Sequence, residues 1–159
     1  YLLDHLLIFL CFAGLVPLGV AYYFELAHNL DPCQLCIYQR VPYGLAIILG
    51  LLGTVRKSIS VWCVLIIGLA FLFNTFLAVY HVGIEQYWWG SSIGCQSGLI
   101  ERVSVSEFKT LLSNKMPSAC DVVQWSVFGI SMAGFNILFS FCLSVICFFG
   151  FLDLRNMIK

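Results

Sequence analysis

The sequence predicts an all-α membrane protein, a four-helix transmembrane bundle with a short amphipathic interfacial helix in its second outer loop. Three observations predict it. Of the 159 residues, 61% are hydrophobic and 10% charged, too little charge to cover a soluble domain. Four apolar runs reach the length of about 20 residues that a helix needs to cross a bilayer. Basic residues occupy the short link between the second and third runs and the segment after the fourth, while aromatic rings gather at the other boundary, as expected for spans with a defined orientation. The 8 Lys+Arg balance 8 Asp+Glu with no basic block, which argues against a nucleic-acid surface.

The elements follow in order within a single domain over residues 1–159. The first span is expected over roughly 5–26. No Lys or Arg precedes it, and its apolar stretch exceeds the about 7 to 15 residues of a signal-peptide core, so it reads as a span and not as a cleaved leader. The second is expected over roughly 37–55, the third over roughly 60–82 and the fourth over roughly 126–152. Between them lie a short outer loop, roughly 27–36, and a long one, roughly 83–125.

Arg56 and Lys57, with Arg155 and Lys159, put the second-to-third link and the C-terminal end in the cytoplasm by the positive-inside rule, and an even number of spans brings the N-terminus to the same side. Tyr22, Tyr23, Tyr38, Tyr43, Tyr80, Tyr87, Trp88, Trp89 and Trp125 mark the outer boundary, and Trp62 the inner one. Rings with one apolar and one polar end favour such positions. Gly129, Ala133 and Gly134 in the fourth span are expected to allow close helix packing, and Asn74 and Asn136 to hydrogen-bond between helices.

That topology divides the 8 cysteines. Cys11, Cys63, Cys142 and Cys147 fall within spans and read as small, buried packing residues. Cys33, Cys36, Cys95 and Cys120 lie on the outer side, where an oxidising compartment allows disulfide chemistry. Static structural disulfides are one reading of the outer set. The Cys33–Cys36 spacing, Cys-x-x-Cys, is more typical of exchanging thiols. Zinc would want two close ligand pairs, but Cys95 and Cys120 are far apart in the chain, and no metal is expected. A soluble thioredoxin-like domain is excluded by the adjoining span and the lack of a strand-helix-strand pattern.

In the stretch D-P-C-Q-L-C-I-Y-Q-R, residues 31–40, the cysteine pair opens the second span. A thiolate is favoured near a helix N-terminus and near a cation. Cys36 is placed for the first, and Arg40, four residues on, for the second. The alternative for Arg40 is an arginine that snorkels to the headgroups. Gln39 carries no charge and is assigned no role. Lipid beside the pair opens the thiols to an apolar electron carrier dissolved in the bilayer.

With P-C-Q-L-C-I-Y-Q-R, then Y-H-V-G-I-E-Q-Y-W-W at 80–89, Gly94-Cys95, and C-D-V-V-Q-W-S-V-F-G-I-S-M-A-G-F-N from Cys120, the chain resembles the DsbB family of disulfide-bond formation proteins over nearly its whole length. The vitamin K epoxide reductase family is similar, but there the loop cysteines precede the Cys-x-x-Cys pair, whereas here they follow it. The resemblance implies a thiol:quinone oxidoreductase of the bacterial inner membrane. It would reoxidise a periplasmic, thioredoxin-fold oxidase of the DsbA type and pass two electrons to a membrane quinone, ubiquinone or menaquinone. It also implies roles. Cys33 and Cys36 match the quinone-proximal pair, Cys95 and Cys120 the loop pair that exchanges with the partner, Arg40 a quinone-site arginine, and His81, more loosely, a histidine of that site. The competing reading is a membrane scaffold or transport subunit whose outer disulfides are structural.

In the long loop, Ser104 and Glu107 have capping-box spacing, and Val105, Phe108, Leu111 and Leu112 share one helical face ahead of Pro117. This amphipathic segment is expected to lie on the membrane surface as a tethered platform for Cys95 and Cys120. Packing on the loop itself is the alternative.

Overall fold

The computed structural model describes residues 2–29, 31–90, 119–123 and 125–158. Cys95 and the expected interfacial helix lie outside the described residues. Within them, helix α1 (Leu2–His28), α2 (Gln34–Val55), a 3-10 turn (Lys57–Ile59) and α3 (Ser60–Glu85) come first. A two-residue-stranded hairpin, β1 (Ser126–Val127) and β2 (Ile130–Ser131), then leads into α4 (Met132–Ile158). All four helices are long and apolar enough to cross a membrane.

The fourth helix starts later than the sequence pattern suggests. Val127 and Ile130 pair across a two-residue turn in which Phe128 and Gly129 both have positive φ, 52° and 79°. That is the backbone of a type I′ hairpin turn, and glycine is its preferred second residue. Gly129 therefore makes a turn rather than a helix contact. Ala133 and Gly134 do lie in α4, where a Cβ on Gly134 would come within 2.7 Å of the Ile130 side chain.

Asn29, with φ 50°, terminates α1 in the left-handed conformation that asparagine tolerates. At the end of α3, Tyr87 takes the same conformation with φ 57°. Its N–H reaches Ile84 O and the Trp88 N–H reaches Gly83 O, closing the helix with a Schellman motif. The chain then folds back. Trp89 lies over Gly83, where any Cβ would overlap its ring, and its indole N–H donates to Tyr80 O at 3.0 Å.

Helix α1 packs chiefly on α2, α2 on α3 and α3 on α4, whereas α1 and α4 touch little. The core runs down the middle through Leu7, Leu10, Ala46, Ile67, Phe71 and Leu143. Close approach depends on small residues. A Cβ on Gly50 would lie 2.4 Å from Cys11 Sγ, and one on Gly68 2.8 Å from Cys147 Cβ. Two in-span cysteines thus sit over glycines of the neighbouring helix. Cys63 and Cys147 are buried and Cys11 half-buried, as packing residues should be. Cys142 is not. It is exposed on α4, on an outer surface whose apolar neighbours Leu138, Phe141 and Phe149 are exposed too; a thiol is apolar enough to share that face with lipid.

Candidate functional site

Pro32 precedes α2 and Cys33 caps it. The Cys33 backbone is extended, φ −72° and ψ 166°, and its sulfur accepts the Cys36 N–H at 3.2 Å, the place usually taken by a serine or aspartate oxygen. The cap brings the two sulfurs, three residues apart, within 2.9 Å, with the Cys33 thiol donating to Cys36 Sγ. That hydrogen bond, followed by burial, pushes the Cys33 thiol up to about 12. Cys36 sits in the first turn of α2, at the positive end of the helix dipole.

One turn further, the Arg40 guanidinium turns toward α1. It donates to Glu25 Oε2 at 2.7 Å and lies 4.8 Å from the centre of the Tyr22 ring, a cation–π distance. Because α1 and α4 barely meet, a groove of about 350 Å³ opens between them with α2 as its floor. Cys36, Gln39, Arg40 and Tyr43 line it from α2, Glu25 and Phe24 from α1, and Asn136 and Phe139 from α4. Most of the wall is apolar, and its polar side chains are Glu25, Gln39, Arg40, Tyr43 and Asn136 beside the Cys36 thiol. Such a groove has the size and character of a small-molecule site.

His81 lies on the other side of the pair. It is 4% exposed, with Nε2 3.6 Å from Cys33 Sγ and 3.8 Å from Glu85 Oε1. Glu85 in turn accepts the Ser131 hydroxyl at 2.5 Å. His81 is not among the groove-lining residues; it is a neighbour of Cys33, where the resemblance had associated it with the quinone.

Cys120 is buried in one cluster with Cys33, Leu35 and Ile84, and Cys36 packs against that cluster. Its main chain also reaches the His81 ring. Three of the four cysteines that the sequence places on the outer side therefore meet at the head of α2. Cys33, Cys36 and His81 offer ligand atoms within 4.8 Å of one another, a grouping across 48 positions that ligand spacing in the sequence does not reveal.

Sequence reasoning missed three residues here. Glu25 is the lone acidic residue between Asp4 and Asp31 in an apolar run, and a charge inside a span is a pointer to a functional site. Gln39, left without a role, is buried and bonded to both His81 Nδ1 and Asn136; its position three residues after Cys36 puts it on the same helix face. Tyr43 was expected at the boundary, yet it is 6% exposed. Its hydroxyl bonds Asn136 Oδ1 and approaches Ser140 Oγ at 3.3 Å, because the core holds acceptors that hydropathy does not reveal. Asn74 and Asn136 do bond between α3 and α4, at 3.3 Å.

The family model for disulfide bond formation protein DsbB matches residues 4–150. Disulfide bond formation protein B of Mannheimia succiniciproducens is 31% identical over 78% of this chain and 71% of its own length. That of Acinetobacter baumannii is 27% identical over 87% and 84%. An uncharacterized protein of Rickettsia prowazekii is 26% identical over 83% and 78%. With a Cys-x-x-Cys cap, a third cysteine buried beside it and a match across nearly all of its length, the chain belongs to the DsbB family of disulfide bond formation proteins, multi-pass membrane disulfide oxidoreductases.

Proposed function

We propose that this protein is a thiol:quinone oxidoreductase that reoxidises a DsbA-type thioredoxin-fold oxidase and passes two electrons to a quinone of the bacterial inner membrane. In this reading the cysteines face the periplasm and both chain ends the cytoplasm. The observation that carries it is the double position of Cys36. Its sulfur is hydrogen-bonded to Cys33, and the residue also lines the apolar groove, so thiol chemistry and a lipid-soluble acceptor can meet at one residue.

A thiolate of the reduced partner attacks the Cys95–Cys120 disulfide and forms a mixed disulfide, which the partner's second thiol resolves. The partner leaves oxidised and the loop pair is left as a dithiol. A loop thiolate then attacks Cys33 of the Cys33–Cys36 disulfide and Cys36 departs as a thiolate; the second loop thiol attacks the resulting mixed disulfide, re-forming Cys95–Cys120, and Cys33 departs, so that Cys33 and Cys36 are left reduced. Reoxidation of Cys33 and Cys36 releases two electrons and two protons. A quinone in the groove supplies the acceptor for both. Arg40 stabilises negative charge on Cys36 and on its neighbour in the groove, the work of a pre-placed cation. The groove's apolar wall fits a quinone ring and tail, and its cluster of polar groups fits the ring oxygens.

The order of the relay is tested by trapping. With Cys95 taken as the attacked sulfur, Cys120→Ala is expected to accumulate a long-lived mixed disulfide between Cys95 and the partner, visible on a non-reducing gel. If Cys120→Ala never traps the partner and Cys95→Ala does so readily, the assignment is reversed. The in-span thiols are expected to be bystanders. Serine at Cys11, Cys63, Cys142 and Cys147 together should keep quinone-dependent turnover, at a stability cost of about 1 to 3 kcal/mol for each hydroxyl buried without a partner. Loss of turnover in a folded quadruple variant would place one of them in the electron path.

A further inference from the structure

We propose that Gln39 and Asn136 are positioning residues that fix the tautomer of His81, setting its ring proton on Nε2 against Cys33 Sγ; this rests on the thiol relay above for its role, though not for its geometry.

The chain of hydrogen bonds begins in the core. Asn136 Oδ1 meets the Tyr43 hydroxyl, Ser140 Oγ at 3.0 Å and Asn74 Nδ2 at 3.3 Å. An amide NH2 only donates; here Asn74 Nδ2 faces the Asn136 oxygen, and Asn74 Oδ1 is left buried without a hydrogen-bond partner among the described residues. Asn136 Nδ2 is thereby turned toward Gln39 Oε1, at 2.6 Å. Gln39 has its own NH2 left for His81 Nδ1, at 3.1 Å. Facing a donor, Nδ1 must present its lone pair. A neutral imidazole carries one ring proton, and here it falls on Nε2.

The other side of the ring agrees independently. Nε2 faces Cys33 Sγ at 3.6 Å and Glu85 Oε1 at 3.8 Å, groups that can accept a proton. The opposite tautomer would set two N–H donors against each other at Gln39 and a lone pair against sulfur and carboxylate oxygen. The titratable groups facing the ring are Cys33 and Cys36 from the start of α2 and Glu85 from its own helix. Donors gathered at Asn136 on α4 thus decide, through α2, where a proton sits on α3.

The consequence falls on one sulfur. When a disulfide to Cys33 is broken by an attacking thiolate, the attacker forms the new S–S bond and the electron pair of the old one goes to Cys33. The departing Cys33 thiolate meets the His81 N–H. A ring with its proton on Nδ1 would offer that charge a lone pair.

The test uses the full chain in lipid nanodiscs with 15N-labelled histidine. Three histidines, His5, His28 and His81, give three rings, and the His81 signals are assigned by their loss in His81→Asn. The expected spectrum of the wild type has a protonated Nε2 and a pyridine-type Nδ1. In Asn136→Asp the amide donor is gone, Gln39 turns its NH2 to the new carboxylate and offers Oε1 to the ring, and the proton moves to Nδ1. Exchange at Cys33 with a small thiol should slow on the order of tenfold, the worth of one hydrogen bond to a charged group. Gln39→Glu, nearly isosteric, should likewise bring a proton to Nδ1. A wild-type ring protonated on Nδ1, or a ring unmoved in folded Asn136→Asp and Gln39→Glu, overturns the proposal. Because the wild-type spectrum is itself decisive, failure of a variant to fold leaves the test intact. The two readings also separate: an Nε2–H ring without quinone reduction would sink the relay alone, and full quinone reduction with an Nδ1–H ring would sink the tautomer alone.

Discussion

Arg40→Ala is expected to lower quinone-dependent turnover about a hundredfold, the loss that follows when a charge stabilising the transition state by on the order of 3 kcal/mol is removed. Partner exchange at the loop cysteines should survive. Arg40 follows Cys36 by one helical turn and lines the same groove, where Glu25 and the Tyr22 ring hold its guanidinium in place. Its removal does more than delete a cation. Glu25 is left in the groove without its counter-charge and opposes any negative charge formed beside it, so Glu25→Gln in the Arg40→Ala background should recover part of the loss. Lysine at position 40 should also restore only part, since it lacks the planar fork that can serve a carboxylate and a second acceptor together. The measurement is steady-state quinone reduction against quinone concentration, with the partner saturating. Unchanged quinone constants in a folded Arg40→Ala variant would reduce Arg40 to a residue that anchors α2 to α1.

Cys36→Ser is expected to abolish quinone reduction altogether. A serine hydroxyl without an adjacent base keeps its proton at neutral pH and is a weak nucleophile, so the groove then holds no sulfur that can deliver an electron pair. The loop pair should still exchange with the partner. Cys33, no longer paired with a thiol at position 36, shares its buried cluster with Cys120; its attack on the Cys95–Cys120 disulfide forms Cys33–Cys120 and releases the Cys95 thiolate, and this disulfide should accumulate because no Cys36 thiolate is present to attack Cys33 and displace Cys120. Peptide mapping under non-reducing conditions reads this directly. Quinone turnover comparable to wild type in Cys36→Ser would move the electron exit to another residue.

The membrane architecture was legible because it depends on local quantities. Hydropathy over a window of about 20 residues identifies a span wherever it packs, and all four emerged, with ends shifted by a few residues. The fourth shifted most, by the length of a hairpin whose Phe128–Gly129 turn sits in an apolar run that hydropathy reads as helix. Cys33, Cys36 and Cys120 could be singled out from spacing, compartment and resemblance. Their meeting at the head of α2 is a fact of tertiary structure.

What escaped the sequence was the polar interior. Tyr43 read as an interfacial ring because tyrosines usually are; its partners Asn136 and Ser140 lie 93 and 97 positions away. Gln39 carries no charge and so raised no question, yet its amide joins His81 to Asn136 across 42 and 97 positions. Hydrogen bonds of this kind leave no periodicity in the chain. Glu25 was the exception, an acid in an apolar run that could have been flagged on cost alone.

If electrons leave thiols here for a quinone in the membrane, the transfer is visible in one cuvette: the purified chain is mixed, without oxygen, with a reduced thioredoxin-fold dithiol protein and a soluble short-chain quinone, and quinone absorbance is followed. Quinone is expected to be consumed mole for mole with partner dithiol, and alanine at any of Cys33, Cys36, Cys95 or Cys120 is expected to stop it. Steady quinone absorbance with a folded protein, together with outer disulfides that resist mild reductant, would contradict it and leave a membrane scaffold held by structural bridges.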